Sequence, residues 1–446
     1  MVETINKLEE TSHLLLHRTS RQDVAKGISV IVKGEGVRVF DQDGTSYIDM
    51  EAGGTRPVHA GYGRQELAQA GYDQMCQMAY FTPMGFANAP AMQLADKLAE
   101  ITPPGIARFT FECDGSEAVE TAMKLAKHYH YYRGDQGRFK VVSRRGAYHG
   151  VSGIGVRALG IVMPMRQLME PLAPGAIFIE SPYCYRCPHN LRYPDCDMAC
   201  ARELERIIEF EGPEQISMFI GEPIQQGFGA YRPPPEYWPV IREICDRYDI
   251  LLVIDEVICG FGRTGLMFAT QHFDVHPDLL TMAKGLTSGY VPLGAVGCSD
   301  RVTEPIELLN HLHTYGNHPV SCAVALRNLE ILETEKLIEN SEQMGRYFLD
   351  CLKTLLHHPS VGEVRGTGLW LAIDFTVNKK SRAPFPFENL MGIIARMKQK
   401  GILVKTMGMA LELAPPLVIS KDEIDEVIPV LDACITEEEK AIGLLK

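Results

Sequence analysis

The chain has 446 residues, a net charge of −13, and ordinary globular proportions of 46% apolar and 23% charged residues. Its length exceeds the ~250 to 300 residues at which single cores stop growing, which implies more than one domain. An acid excess with both signs interspersed argues against a nucleic-acid surface, and no apolar run approaches the ~18 residues of a membrane span.

The opening MVETINKLEETSHLLLHRTS is polar and acidic, matching neither a secretory nor a transit peptide. With 12 cysteines and no export signal, reduced thiols in a cytoplasm are expected. Residues 1–60 read as a segment with a helix, then GVRVFDQDGTSYIDM, two short alternating strands about the turn Asp43-Gly44. From 61 to 325, helical periodicity alternates with short runs apolar on both faces: RFTFEC, KVVSR, AIFIE, SMFIGEP, ILLVIDE, LLTMAK and GAVGCS. That alternation predicts an α/β layer fold, a mainly parallel central sheet sandwiched by helices. One long helix is expected through VSCAVALRNLEILETEKLIENSEQMGRYFLDCLKTLL. Beyond it, strand-like LWLAIDF and ALELAPPLVI with the helix KDEIDEVIPVLDACITEEEKA suggest a smaller α+β domain over 326–446. The first sixty residues are expected to pack with it.

Within the layer, FECDGSEAVETAMKLAKHYH reads as strand, turn and helix, with Ala118, Ala122, Leu125, Ala126 and Tyr129 at helical spacing. The N–H groups of Gly115 and Ser116, the helix dipole and the serine hydroxyl would together hold a phosphate. GAYHGVSG places Tyr148 and His149 in a glycine-flanked loop able to stack on a planar ring. Asp255 ends the apolar run Ile250 to Ile254, at the sheet edge where open α/β sheets bind ligands; it could be the counter-ion of a protonated ring nitrogen. Lys284 follows another apolar run, DLLTMAK. A lone buried ammonium tends to lose its proton, and a neutral amine is a nucleophile that forms Schiff bases with carbonyls. GFGRTG fits a dinucleotide fingerprint but stands off from the preceding strand, and LMFATQHF is a poor helix start, so no nicotinamide site is expected.

Taken in order, DGSEA, AYHG, GEPIQ, DEVICGFGRTG, AKGLTSGYVPLGA, HTYGNHP and APPLVI resemble the class III aminotransferases, pyridoxal 5'-phosphate enzymes of fold type I, over nearly the whole chain. The resemblance implies that Lys284 links the cofactor as a Schiff base and then shuttles a proton at the substrate Cα. Asp255 would keep the pyridine nitrogen protonated, with Val257 against the ring face. Gly115 and Ser116 would bind the phosphate, Tyr148 would stack with His149 behind it, and Glu222 would face the cofactor and substrate pocket. Thr314 would reach the phosphate of the neighbouring subunit, which implies a homodimer with shared active sites, a tetramer being the larger alternative. A serine is more usual at Gly316, a departure that leaves Thr314 in place.

Two further departures concern substrate. Many members carry an arginine about ten residues before the Pro-Pro pair, where this chain has Lys405; and where many amine transaminases carry an aromatic residue, it has Arg56. A guanidinium at a pocket mouth suits carboxylate, sulfonate or phosphonate oxygens. The expected reaction moves an amino group from a small primary amine with a distal anion (taurine, aminophosphonate or ω-amino acid) to a keto acid such as pyruvate. The alternative is a pyridoxal-phosphate ammonia- or phospho-lyase; a non-catalytic binding protein is disfavoured by intact Lys284 and Asp255. Cys184, Cys187, Cys196 and Cys200 form a C-x2-C, C-x3-C pattern resembling a zinc knuckle; buried or redox-active thiols without a metal are the preferred reading, with zinc as the alternative.

Overall fold

The computed structural model describes residues 13–25, 27–153, 160, 166–168 and 170–445. Near the N-terminus, the short helix Arg21–Ala25 precedes strands β1 (Ile31–Glu35), β2 (Arg38–Asp41) and β3 (Ser46–Asp49); residues 1–12 lie outside the described residues. β2 and β3 pair antiparallel about Gly44, whose φ of 82° suits the turn between them.

All seven apolar runs of the central region become strands of one sheet: β4 (Ile106–Glu112), β5 (Lys140–Arg144), β6 (Ala176–Ile179), β7 (Ile216–Gly221), β8 (Leu251–Asp255), β9 (Leu279–Met282) and β10 (Gly294–Ser299). Their order is β4-β10-β9-β8-β7-β5-β6. β10 runs antiparallel to both neighbours and the other pairings are parallel. Every residue of β7, β8 and β9 is buried, as strands covered on both faces require. Helices Gly115–Tyr132 and Tyr237–Arg247 each pack against these strands. Parallel packing puts the carboxyl end of β8, and the chain leaving β9, on one edge of the sheet.

The C-terminal part forms a second sheet from β11 (Val361–Thr367), β12 (Trp370–Asn378), β15 (Lys405–Met407) and β16 (Ala410–Leu413), with β13 (Ala383–Pro384) paired to β12. β14 (Ile402–Leu403) pairs parallel with β3, so the first strands and this late segment share a sheet. The helix Lys421–Ala441 spans the predicted stretch, with Ser420 and Glu423 forming a capping box.

The single long helix expected from residue 320 onward is two helices, Pro319–Thr334 and Leu337–Lys353. They break at Lys336, which takes a left-handed conformation, φ 55°. The break turns the chain so that the second helix packs on β11 and β12 while the first lies on Gln65–Gln77 and Ala89–Ile101. No glycine or proline marks the break; tertiary packing overrides local propensity there.

Candidate active site

Asp255 is the last residue of β8 and is 4% exposed. One carboxylate oxygen accepts the Val257 N–H at 3.0 Å, and the other lies 2.7 Å from His149 Nδ1. The His149 ring is buried, with Nδ1 the nitrogen turned to the carboxylate. Its Nε2 has no hydrogen-bond partner among the described residues and stands 3.8 Å from Glu222. Glu222, at the end of β7, accepts the Tyr148 N–H at 3.2 Å and pairs with the Arg144 guanidinium at 3.1 Å. Arg144 is fully buried at the end of β5 and also bonds the Glu222 carbonyl. Three adjacent strand ends thus deliver one linked polar set around Asp255.

Lys284 follows β9, the strand paired with β8 so that Asp255 stands opposite Thr281. Burial pushes its ammonium down to about 7; the Arg56 charge works in the same direction, and Asp255, Cys259 and Glu222 oppose it. Its backbone is left-handed, φ 46°, an uncommon conformation for a side-chain-bearing residue that recurs at functional sites. Gly285 is required beside it: a Cβ there would lie 2.3 Å from the His59 ring, which is buried and anchored to the Phe261 carbonyl at 2.9 Å.

Asp114 caps the helix Gly115–Tyr132 by accepting the Glu117 N–H at 2.9 Å. The first-turn N–H groups of Gly115 and Ser116 therefore remain as donors, as a helix N-terminus demands. A Cβ on Gly115 would lie 2.7 Å from Val257 Cγ1, so the glycine lets this N-terminus approach the residue that caps Asp255. Gly150, directly after His149, packs against Ser116 in the same way. The structure brings Gly115, Ser116, Tyr148, His149, Glu222, Asp255, Val257 and Lys284 to one edge. Thr314 is not brought in: it is exposed, and its carbonyl accepts from the Tyr80 hydroxyl.

Beyond Lys284 stands a charged group. Lys405 on β15 and Glu412 on β16 are cross-strand partners facing the loop of residues 51–58. From the sequence, Arg56 is expected at an open pocket mouth in want of a substrate anion. The structure instead buries it, 4% exposed, with its guanidinium against Glu412 and 5.9 Å from the centre of the Trp370 ring. Trp370 Nε1 donates to the other Glu412 oxygen at 3.1 Å. Arg56 thus already has an anion, because a desolvated guanidinium without one would be costly. Burial still lowers its pKa to about 10. Lys405 is half-buried, and among the described residues its ammonium donates only to the neutral Gly54 carbonyl, at 2.9 Å. Burial also lifts the Glu51 carboxyl to about 7, against the pull of Lys405.

With this geometry in place, likeness to known proteins decides the identity. The family Aminotransferase class-III matches residues 19–435. The chain belongs to the class III aminotransferases. The aminotransferase is 37% identical to putrescine–pyruvate aminotransferase of Pseudomonas aeruginosa, over 98% of this chain and 96% of that one. It is 35% identical to taurine–pyruvate aminotransferase of Bilophila wadsworthia, over 93% and 94%. The crystal structure of an (S)-enantioselective ω-transaminase from Thermomicrobium roseum is 42% identical, with a TM-score of 0.91 and 96% of each chain covered. The fold is accordingly the pyridoxal-phosphate-dependent type I fold, and the protein is a pyridoxal-phosphate enzyme.

The residues of this aminotransferase fit that cofactor. A helix N-terminus with free donors offers a phosphate seat, a strand-end carboxylate held on both oxygens offers a ring-nitrogen partner, and an amine whose pKa is lowered to about 7 stands within electrostatic reach. GFGRTG serves differently: Arg263 is buried and donates to the Leu369 carbonyl at 2.9 Å and to that of Pro415, and only the four-residue turn Ala269–His272 follows. Sequence reasoning missed Arg144, Glu51 and Glu412. Glu412 had a legible signal, a carboxylate inside the apolar strand ALEL, the same oddity that marked Lys284.

Proposed function

We propose that this aminotransferase moves the amino group of a small primary amine with a distal anion, of taurine, aminophosphonate or ω-amino-acid type, to a keto acid such as pyruvate. The reading rests on Lys405, the half-buried cation whose ammonium meets only a neutral carbonyl among the described residues. Arg56 has Glu412 for itself, and Glu51 is protonated in good part at neutral pH, so positive charge is left over at the donor's far end. Arg18 adds to it, since its charge is felt at both Lys405 and Tyr148. The two named relatives share pyruvate and differ in the donor's distal group, the end these residues would meet.

Pyridoxal phosphate, when bound, supplies the electron sink that makes the donor's α-proton labile. Lys284, neutral in a large fraction near pH 7, would take that proton from Cα and return it on the acceptor's side of the cycle. Asp255, oriented by His149 and the Val257 N–H, would hold the ring nitrogen, and Gly115 and Ser116 the phosphate. Arg144, paired with the Glu222 carboxylate and bonded to its carbonyl, would hold Glu222 in place beside them. We further propose a cytoplasmic homodimer. Phe81, Met84, Phe86, Leu308 and Leu312 are exposed on the single chain, and Tyr80 links this surface to Thr314 and Tyr315. No helix among the described residues is long and apolar enough to cross a membrane.

The test compares kcat/KM for taurine and for propylamine in the wild type and in Lys405→Met. Loss of a charge-assisted contact predicts a drop of roughly 10 to 100-fold for taurine alone. An equal effect on both donors would remove Lys405 from the distal site.

A further inference from the structure

The four cysteines singled out by their spacing follow β6, the edge strand of the large sheet, and the fold adds what spacing could not. Cys184, Cys187, Cys196 and Cys200 all line one cavity of about 20 Å³, together with His189. That is room for a single water-sized occupant. Two turns present the thiols. The first is the turn Cys184–Arg186, after which the Asn190 N–H donates to the Cys187 carbonyl at 3.0 Å. The second is a pair of left-handed residues, Asp197 and Met198, which fold Cys196 back against the start of the helix Ala199–Glu211. None of the four is in a disulfide.

We propose that Cys184, Cys187, Cys196 and Cys200 form a structural zinc site. Four thiolates in C-x2-C and C-x3-C spacing suit tetrahedral Zn²⁺, and each ligating thiol gives its proton to solvent, so no oxidant is needed. No three of the sulfurs lie mutually within 4.8 Å, so closure onto an ion at ~2.3 Å requires the side chains to rotate inward across the cavity. The site has a mechanical purpose. Arg186, between the first two cysteines, pairs with Asp374 and donates to the Phe375 carbonyl at 3.0 Å and the Arg382 carbonyl at 2.9 Å. The Tyr183 hydroxyl also bonds Asp374. The cysteine loop is thus the clasp between the large sheet and β12 of the sheet that carries Lys405, and an ion would lock it.

The test is metal content of the full-length holoenzyme, purified without chelator and again after incubation with Zn²⁺ and a reductant followed by dialysis. About one zinc per chain is expected in the wild type, retained in Cys76→Ser, whose thiol lies outside the cavity, and lost in Cys184→Ser/Cys187→Ser. Stripping the wild type with a mercurial and chelator should release that zinc, lower the thermal midpoint, and leave bound pyridoxal phosphate in place. Wild type that holds no zinc after loading would overturn the site, as would a mass 2 Da short for each pair of cysteines, which would make them disulfides. Zinc that survives the double substitution would place the metal elsewhere.

Discussion

Lys284 and Asp255 announce themselves because each is the first charge after an apolar run, and the structure gives the cause: burial and the Arg56 charge lower the pKa of the first to about 7, and His149 and a backbone N–H hold the second. Lys284→Ala is expected to lose the yellow colour of lysine-linked cofactor and essentially all turnover while keeping cofactor on its phosphate contacts; an unchanged spectrum and rate would assign the role to another lysine. Asp255→Asn should cut kcat by at least ~10²-fold with the fold intact, since a preorganised counter-ion is lost. Circular dichroism and steady-state rates check both statements. Arg56 was legible as an unusual cation but its partner was not, because Glu412 reaches it only through the pairing of β15 with β16. Glu51 gives a pH dependence with a definite sign. Its raised pKa leaves it neutral below about 7, where Lys405 stands unopposed, and ionised above, where it offsets that cation. The preference for taurine over propylamine should therefore fall as pH rises through about 7, and Glu51→Gln should flatten that profile. A slope unchanged by the substitution would assign the titration to another group.

Among the elements, the turn before the helix Gly115–Tyr132 and the strand ends of β7, β8 and β9 were readable because buried parallel strands are continuous apolar runs and the residues that interrupt them stand out. The break at Lys336 was not readable, since nothing in Thr-Glu-Lys forbids a helix; the turn is imposed by what each half packs upon. β11, VGEVRGT, went unread for a related reason, as its residues are mostly half-buried and lack a clean alternation. The close approach at Gly115 makes a prediction at this scale. Gly115→Ala would place a methyl 2.7 Å from Val257 Cγ1, and because Val257 caps Asp255, the helix start or the aspartate must shift. Cofactor affinity, read by equilibrium dialysis, should weaken by roughly 10-fold or more, in line with the cost of overpacking a close contact. Unchanged affinity would show that the approach is not part of the seat.

For the whole molecule, the pairing of β3 with β14 supports a proposal that residues 1–60 belong with a C-terminal domain of residues 326–446, around a large domain of 61–325. A single sequence could suggest this but not the clasp of Arg186 on Asp374, which depends on two segments far apart in the chain. Sedimentation should report a dimer, and Phe86→Glu on the exposed apolar surface should shift it toward monomer with loss of activity, because Thr314 would then reach no neighbouring cofactor; an active monomer would separate Thr314 from catalysis. The most direct test of donor and reaction type together is a half-reaction in the absence of any keto acid. Holoenzyme mixed with taurine should lose its visible absorption in about one equivalent per site, regain it on adding pyruvate with formation of alanine, and respond far more slowly to propylamine at the same concentration. Continuous turnover of the donor with the colour retained and no acceptor present would make the enzyme a lyase, and equal bleaching by both amines would contradict the distal-anion account.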